Sequence, residues 1–511
     1  MTARTLMVQG TASSAGKSTL VAALCRIFRQ DGWNVAPFKA QNMSLNSFVT
    51  RDGKEMGRAQ VVQAEAACVE PAVEMNPILL KPEADNRSQV VVMGKPLRGL
   101  AAKEYYSLKD RLWQVVTQSL DLLREQYDLV VMEGAGSPAE VNLKDRDIVN
   151  MRVARYCQAP VLLVADIDRG GVFASIVGTL ELLEPEERAL VKAIVINKFR
   201  GDLSLLTPGL AWLEERTGIP VAGVIPYYRD IYIAEEDSVS LEKRRAMKTK
   251  GAYTLDIAVI GLPHISNFDD FDPLEQEPGV RLRYVEANDA LGKPDLIILP
   301  GTKSTIADLE YLRHTNLADE IVQQDNTPVI GICGGYQMLG DVIRDPDGVE
   351  SDKPEVKGLG LLPVSTTFLP TKSTYQIKGF VDYGAGLLRN ATGNPITGYE
   401  IHMGQTVAET PKAPFVIQER SRQPCRDTDG CYGRKGNVLG TYIHGLFHNE
   451  GLRRSILAEL AMRRGVELAP WGRVTSKEEE YDKLASLVMS SLDIELIRRI
   501  CGIHGFPLGQ H

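Results

Sequence analysis

Short, nearly uninterrupted apolar runs recur along the chain, each followed by a longer stretch with helical periodicity. In the first half the runs are Thr5–Val8, Asn34–Pro37, Leu129–Glu133, Val161–Ala165, Ala193–Asn197 and Val221–Ile225. A strand that is apolar at every position, rather than at every second one, is buried on both faces. Alternation of such strands with helices predicts α/β units built around a parallel sheet. A second alternation begins with Asp256–Gly261, Leu296–Pro300 and Val329–Gly331, then passes into a Gly-rich, strand-like segment up to His448. From Gly451 onward the pattern is helical and amphipathic, with a polar tail. Between the two alternations, Ala234–Lys250 is densely charged and lacks an apolar stripe, as a linker or a solvated helix would. The expected division is an α/β domain over 1–233, a charged linker over 234–252, a second α/β domain over 253–450 and a helical extension over 451–511.

A chain of 511 residues is too long for one core, and a composition 44% hydrophobic and 24% charged is that of a soluble globular protein. The net charge of −8 argues against nucleic-acid and anionic-membrane partners, which call for a basic face. It leaves room for a polyanionic small molecule in a local basic pocket. No apolar run approaches the roughly 18 residues of a membrane span. The opening segment runs from one short strand into a glycine loop, unlike a secretory signal. Seven scattered cysteines, of which Cys425 and Cys431 are the closest pair, form no disulfide or zinc pattern. A reducing cytoplasm is the expected compartment; monomer and homo-oligomer are both compatible with the sequence.

Two segments carry chemistry. The first, Val8-Gln-Gly-Thr-Ala-Ser-Ser-Ala-Gly-Lys-Ser-Thr19, follows a strand and opens a helix expected over Leu20–Arg29. Glycines let successive backbone N–H groups turn toward an anion, and the helix N-terminus adds its positive end. Gly10, Thr11, Gly16, Lys17, Ser18 and Thr19 are thus candidate nucleotide-binding residues, with Lys17 at the outer phosphates and Ser18 on Mg²⁺. Five residues rather than four separate Gly10 from Gly16, one more than the usual phosphate-loop pattern. Glu133 ends a buried strand, where open α/β sheets bind ligands, and is the second candidate metal ligand. Asn197, also at a strand end, could present its amide to the base, although Asn-Lys is ordinary turn chemistry too.

In the second segment, Pro328-Val-Ile-Gly-Ile-Cys-Gly-Gly-Tyr-Gln-Met-Leu-Gly340, a cysteine sits between a buried strand and a helix with small residues on both sides. Hydrolases place a nucleophile on such an elbow, and the helix N-terminus favours a thiolate. Cys333 is the expected nucleophile, and His444, over a hundred residues downstream, its base. The amide of Gly334 and the loop Pro300-Gly-Thr-Lys-Ser304, through Gly301, would supply the oxyanion donors. His448 reads as structural.

Together these residues resemble the glutamine amidotransferases of cobalamin biosynthesis, over essentially the whole chain. The first half looks like the dethiobiotin-synthetase type of P-loop domain, whose glycine loop is longer by the same single residue. The second half looks like a class I glutamine amidotransferase α/β domain. Further marks are Pro37-Phe-Lys-Ala-Gln-Asn-Met-Ser-Leu-Asn46, Glu55-Met-Gly-Arg-Ala-Gln60, Glu74-Met-Asn-Pro-Ile-Leu-Leu-Lys-Pro82, Ala165-Asp-Ile-Asp-Arg-Gly-Gly-Val-Phe173 and Gly398-Tyr-Glu-Ile-His-Met-Gly404. They are similar to the branch that completes corrin amidation rather than to its sister, the a,c-diamide synthase. The resemblance implies ATP- and glutamine-dependent amidation of the b, d, e and g carboxylates of a corrinoid, adenosylcobyrinic acid a,c-diamide. One departure stands out. Class I glutaminases commonly place Glu two positions after the histidine, and here that position is Leu446. Cys333 and His444 would then work as a dyad, or another acceptor, with Glu400 a candidate, would orient the ring.

The implied chemistry activates each carboxylate as an acyl phosphate while Cys333 releases ammonia from glutamine, along a shielded path between the two centres. Lys39, Gln41, Asn42 and Arg169 are the candidate substrate-facing residues, polar and cationic as a polycarboxylate requires. The rival readings are the a,c-diamide synthase, a partitioning-type switch ATPase, which has no use for a cysteine elbow, and a scaffold with a decayed glutaminase half.

Overall fold

The computed structural model describes residues 2–84, 87–97, 100–101, 109–228, 230–234, 253–409, 412–433, 436–468, 470 and 475–503. The chain forms two compact units. Met1–Ser44, Met56–Glu236 and Thr475–His511 make the first, and Leu45–Glu55 with Asp237–Val474 the second. Apart from Ala234, the charged linker expected over 234–252 lies outside the described residues.

The first unit is built on six parallel strands: β1 (Arg4–Gly10), β2 (Val35–Phe38), β3 (Leu129–Glu133), β4 (Val161–Asp166), β5 (Val191–Phe199) and β6 (Val221–Pro226), in the order β6-β5-β4-β1-β3-β2. The apolar runs of the sequence mark these strands to within a few residues at each end. Helix α1 (Lys17–Gln30) starts three residues before the expected Leu20, because its first turn is the polar Lys-Ser-Thr that faces the phosphate loop. On one face of the sheet Leu6, Val8, Val131 and Leu162 pack with Leu20, Leu24 and Phe28 of α1.

The same core takes in the end of the chain. Helices Lys477–Ser491 and Ile494–Ile500 contribute Tyr481, Leu484, Val488 and Ile497 to it. Arg26 of α1 binds Asp482 and Glu478, both at 2.7 Å, and Arg498 binds Asp31 at 2.6 Å. Gly223 in β6 permits this approach: a Cβ there would lie 2.2 Å from the carbonyl of Ser491. Residues 451–511 are therefore not one extension. Helix Glu450–Arg464 belongs to the second unit through Leu452, Ile456 and Leu460, while 475–503 complete the first.

The second unit opens with β7 (Leu255–Ile260), β8 (Val280–Val285), β9 (Leu296–Leu299) and β10 (Val329–Ile332). The Gly-rich segment forms a second sheet around the antiparallel pair β11 (Val364–Val381) and β12 (Pro395–Ala408). The chain then returns through β13 (Cys431–Tyr432) and β14 (Val438–Thr441) to finish the first sheet, ordered β8-β7-β9-β10-β14-β13. Leu45–Glu55, read from sequence as part of the first domain, packs here instead. Val49 is buried against Tyr399 and Ile401 of β12, and Glu55 forms a buried ion pair with Lys372 at 2.5 Å.

Candidate active sites

In the first unit the carboxyl ends of β1, β3 and β4 lie side by side, the position at which α/β sheets receive ligands. The loop from Gly10 to Gly16 joins β1 to α1, and the Thr11 N–H donates to Val164 at 2.9 Å. Gly16 adopts φ +101°, and a Cβ there would lie 2.0 Å from Asn197 Nδ2. Asn197 donates that amide to the Ala15 carbonyl at 2.9 Å, so it braces the loop from beneath. Lys17 Nζ donates to the carbonyls of Ala12 and Gly136, both at 2.9 Å. Thr19 follows in the first turn of α1, half-buried.

Glu133 is the hub of this site. Its Oε1 accepts from Ser18 Oγ and from Lys39 Nζ, each at 2.8 Å, and its Oε2 accepts from Gln63 Nε2 at 2.6 Å. Lys39 and Glu133 are both buried, so the pair is exposed to little solvent screening. Ser18 and Glu133 offer the hard oxygen donors that Mg²⁺ takes, and Mg²⁺ at nucleotides relies on few protein ligands plus phosphate oxygens and water. The donor set therefore fits that ion.

The expected substrate-facing residues separate into three settings. Lys39 joins Glu133. Asn42 is buried and donates to Gln60 Oε1 at 3.0 Å, while Gln41 is half-buried on the short strand Gln41–Met43. Arg169 is exposed on the loop after β4.

In the second unit Cys333 stands between β10 and helix α3 (Gly334–Leu339), with φ +52° and ψ −110°. A non-glycine residue at positive φ is strained, and such strain gathers where a nucleophile must be held outward. The glycines around it are needed for close approach: a Cβ on Gly334 would lie 2.6 Å from Thr302 Cγ2, and one on Gly335 2.1 Å from the Leu299 carbonyl. The Cys333 thiol donates to the Ile401 carbonyl at 3.5 Å. Gly334 opens α3, so its N–H has no acceptor within that helix. Gly301, after β9, faces the His444 ring, 2.8 Å from Cε1 measured at an ideal Cβ. The structure thus brings together Cys333, His444, Gly301 and Gly334.

His444 is fully buried and stacks on Tyr399 with 5.2 Å between ring centres. Its Nδ1 lies 2.7 Å from Asp270 Oδ2, and Asp270 Oδ1 accepts the Gly445 N–H at 2.7 Å. Burial opposes the charged imidazole, but the Asp270 carboxylate and the sulfur of Cys333 outweigh it, and the ring is pushed up to about 10. Asp270 is thus the carboxylate that faces the His444 ring. Glu400, the candidate, is held elsewhere: Arg420 binds both of its oxygens at 3.0 and 3.1 Å. Asp270 lies ten residues past Ile260, the end of β7, beside a second aspartate, so no local pattern singles it out. The loop is itself braced, since Asn267 accepts from the Ser47 N–H at 3.2 Å and donates to the Tyr399 hydroxyl at 3.0 Å.

A chain that carries both such a cysteine centre and a phosphate-loop unit defines a class, and comparison with known proteins bears it out. Residues 256–452 match the CobB/CobQ-like glutamine amidotransferase domain, and residues 6–241 the CobQ/CobB/MinD/ParA nucleotide binding domain. The chain is a glutamine amidotransferase with a nucleotide-binding half. It is 55% identical to the cobyric acid synthase of Sorangium cellulosum (strain So ce56), over 98% of this chain and 99% of that one. To those of Dehalococcoides mccartyi (strain CBDB1) and Desulfitobacterium hafniense (strain DSM 10664 / DCB-2) it is 53% identical, over 98% of this chain and 99% and 98% of theirs. It belongs to the cobyric acid synthase family and is an enzyme, a ligase, as the resemblance implied. Among the described residues no helix is long and apolar enough to cross a membrane, and all seven cysteines are free.

Proposed function

We propose that this enzyme amidates the b, d, e and g carboxylates of adenosylcobyrinic acid a,c-diamide, with ATP as activator and glutamine as ammonia donor. The observation that carries the glutaminase half is the buried His444–Asp270 pair set against Gly301 and the strained Cys333.

In that half, Cys333 sulfur attacks the side-chain carbonyl of glutamine, and the amides of Gly334 and the Gly301 loop receive the oxyanion. His444, kept in one tautomer by Asp270, passes a proton to the departing ammonia. Water then hydrolyses the thioester, with the imidazole taking its proton.

In the other half, a carboxylate oxygen of the corrinoid attacks the γ-phosphorus of ATP, the bond to the β,γ-bridging oxygen breaks, and ADP leaves behind an acyl phosphate. Phosphoryl transfer is chiefly a matter of positioning and charge neutralisation. The phosphate-loop amides and Lys17 would hold the outer phosphates, and Lys39 would add a second cation. Ser18 and Glu133 would hold a Mg²⁺ ion, whose charge would offset that of the phosphate oxygens. Ammonia then displaces phosphate to give the amide.

The test is mass spectrometry of the diamide incubated with enzyme, MgATP and glutamine. Successive exchanges of O for NH are expected, abolished by Cys333→Ala with glutamine and restored with ammonium. Intact glutaminase activity with no change in corrinoid mass would refute the substrate.

A further inference from the structure

Helix α2 (Arg58–Ala66) carries Gln60 and Gln63 one turn apart, hence on one face, and both are fully buried. Neither amide is fully used. Gln63 donates through Nε2 to Glu133 at 2.6 Å, and a carboxylate can only accept, so the orientation of this amide is fixed. Its Oε1 has no partner among the described residues. Gln60 accepts at Oε1 from Asn42 Nδ2 at 3.0 Å. The Asn42 oxygen already takes the Met43 N–H at 2.9 Å, so neither Asn42 nor Gln60 can be turned round. That leaves Gln60 Nε2 a donor without a partner among the described residues. Native interiors rarely leave such groups unpaired unless a ligand or water completes them.

A donor on Gln60 and an acceptor on Gln63, one helical turn apart, together call for a ligand with an acceptor and a donor near Glu133, which Gln63 already binds. A free carboxylate offers only acceptors and would face the Gln63 oxygen lone pair to lone pair. A nucleotide base has both, but lies at the other end of the nucleotide from the outer phosphates that Lys17 and Ser18 address. An acyl oxygen with ammonia approaching its carbon has the required pair.

We propose, resting on the reading under Proposed function, that Gln60 and Gln63 hold the amide bond as it forms. Gln60 Nε2 donates to the acyl oxygen, and Gln63 Oε1 accepts from an N–H of the attacking ammonia. The C–N bond forms, the bond from carbon to the phosphate oxygen breaks, and the proton lost by nitrogen leaves on the phosphate. The glutamines match this adduct better than the unreacted carboxylate, which is the condition for accelerating the step.

The test uses the full chain with ammonium as nitrogen source, comparing wild type, Gln60→Glu and Gln60→Met. Gln60→Glu keeps the acceptor for Asn42 and replaces only the orphan donor. Gln60→Met removes the donor without adding charge. Phosphate release and corrinoid amide are measured together, with glutaminase turnover at Cys333 and melting temperature as folding controls. Both variants should lose about 10²-fold in amide formation, the scale for one oxyanion donor. Phosphate release should fall far less, so that phosphate formed per amide rises at least about tenfold as acyl phosphate is lost to water. An unchanged ratio, whether rates fall together or stay at wild type, overturns the role of the pair. Wild type that makes no corrinoid amide with ammonium overturns the underlying reading itself.

Discussion

Asp270→Asn is the most informative single change. In the native site one carboxylate oxygen faces His444 Nδ1 at 2.7 Å while the other takes the Gly445 N–H at 2.7 Å. Asparagine can keep the second contact through its oxygen. It must then turn its NH₂ toward Nδ1, which drives the ring proton to Nε2, the nitrogen on the Cys333 side. A ring protonated there cannot accept the proton it needs from water or thiol. In triad enzymes this swap costs roughly 10³- to 10⁴-fold in kcat, or about 4–5.5 kcal/mol of barrier. The assay is glutamine-dependent glutamate release beside ammonium-dependent phosphate release, the latter expected to stay within about twofold because it bypasses Cys333. The imidazole should also fall from about 10 toward the ordinary 6.5, since burial would then act with one fewer opposing charge. In the wild type that raised ring contributes stability present below pH 6.5 and lost as pH rises through about 10, and the variant should flatten this slope. A glutaminase loss below about tenfold, or an equal loss with ammonium, would refute the reasoning.

Other outcomes follow from the same geometry. Gly301→Ala puts a methyl 2.8 Å from His444 Cε1, and displacing that ring should cost glutaminase about 10²-fold while sparing ammonium-driven turnover, read by the same paired assay. Gly16→Ala combines φ +101° with a 2.0 Å clash against Asn197, and should abolish ATP binding by calorimetry while glutamine hydrolysis persists. Arg453→Met strips the buried Glu277 of its partner at 2.8 Å and should destabilise the second unit by about 3–5 kcal/mol in urea melts. Burial, with the charge of Glu400 second, pushes Asp429 up to about 7, above its ordinary 3.8. Its ionisation therefore costs stability progressively between those values, and Asp429→Asn should be least harmful at pH 8 and most harmful near pH 4, by thermal melting.

The parallel sheets were legible because strands buried on both faces leave continuous apolar runs. The phosphate loop and cysteine elbow were legible because close backbone approach demands glycine at fixed offsets, as Gly16 and Gly335 illustrate. Asp270 was not, because its partner lies 174 positions away and nothing local distinguishes it from its neighbour Asp269. The roles of Asn197 and Asn42 were hidden for a related reason. Sequence marks them as polar residues near a site, but only packing tells whether such an amide braces the backbone or meets a ligand. The destination of residues 475–503 was equally invisible, since an amphipathic helix announces that it has an apolar face and not which core will receive it.

That last feature sets a schedule for folding. The apolar surface of α1, with Leu20, Leu24 and Phe28, is covered in part by side chains from the final helices. During synthesis it must wait for residues 237–474 to be made, roughly 10–50 s at about 5–20 residues per second. The nascent first unit spends that interval with a sticky face uncovered, so a chain truncated near 470 should depend heavily on chaperones even though both sets of reactive residues are present.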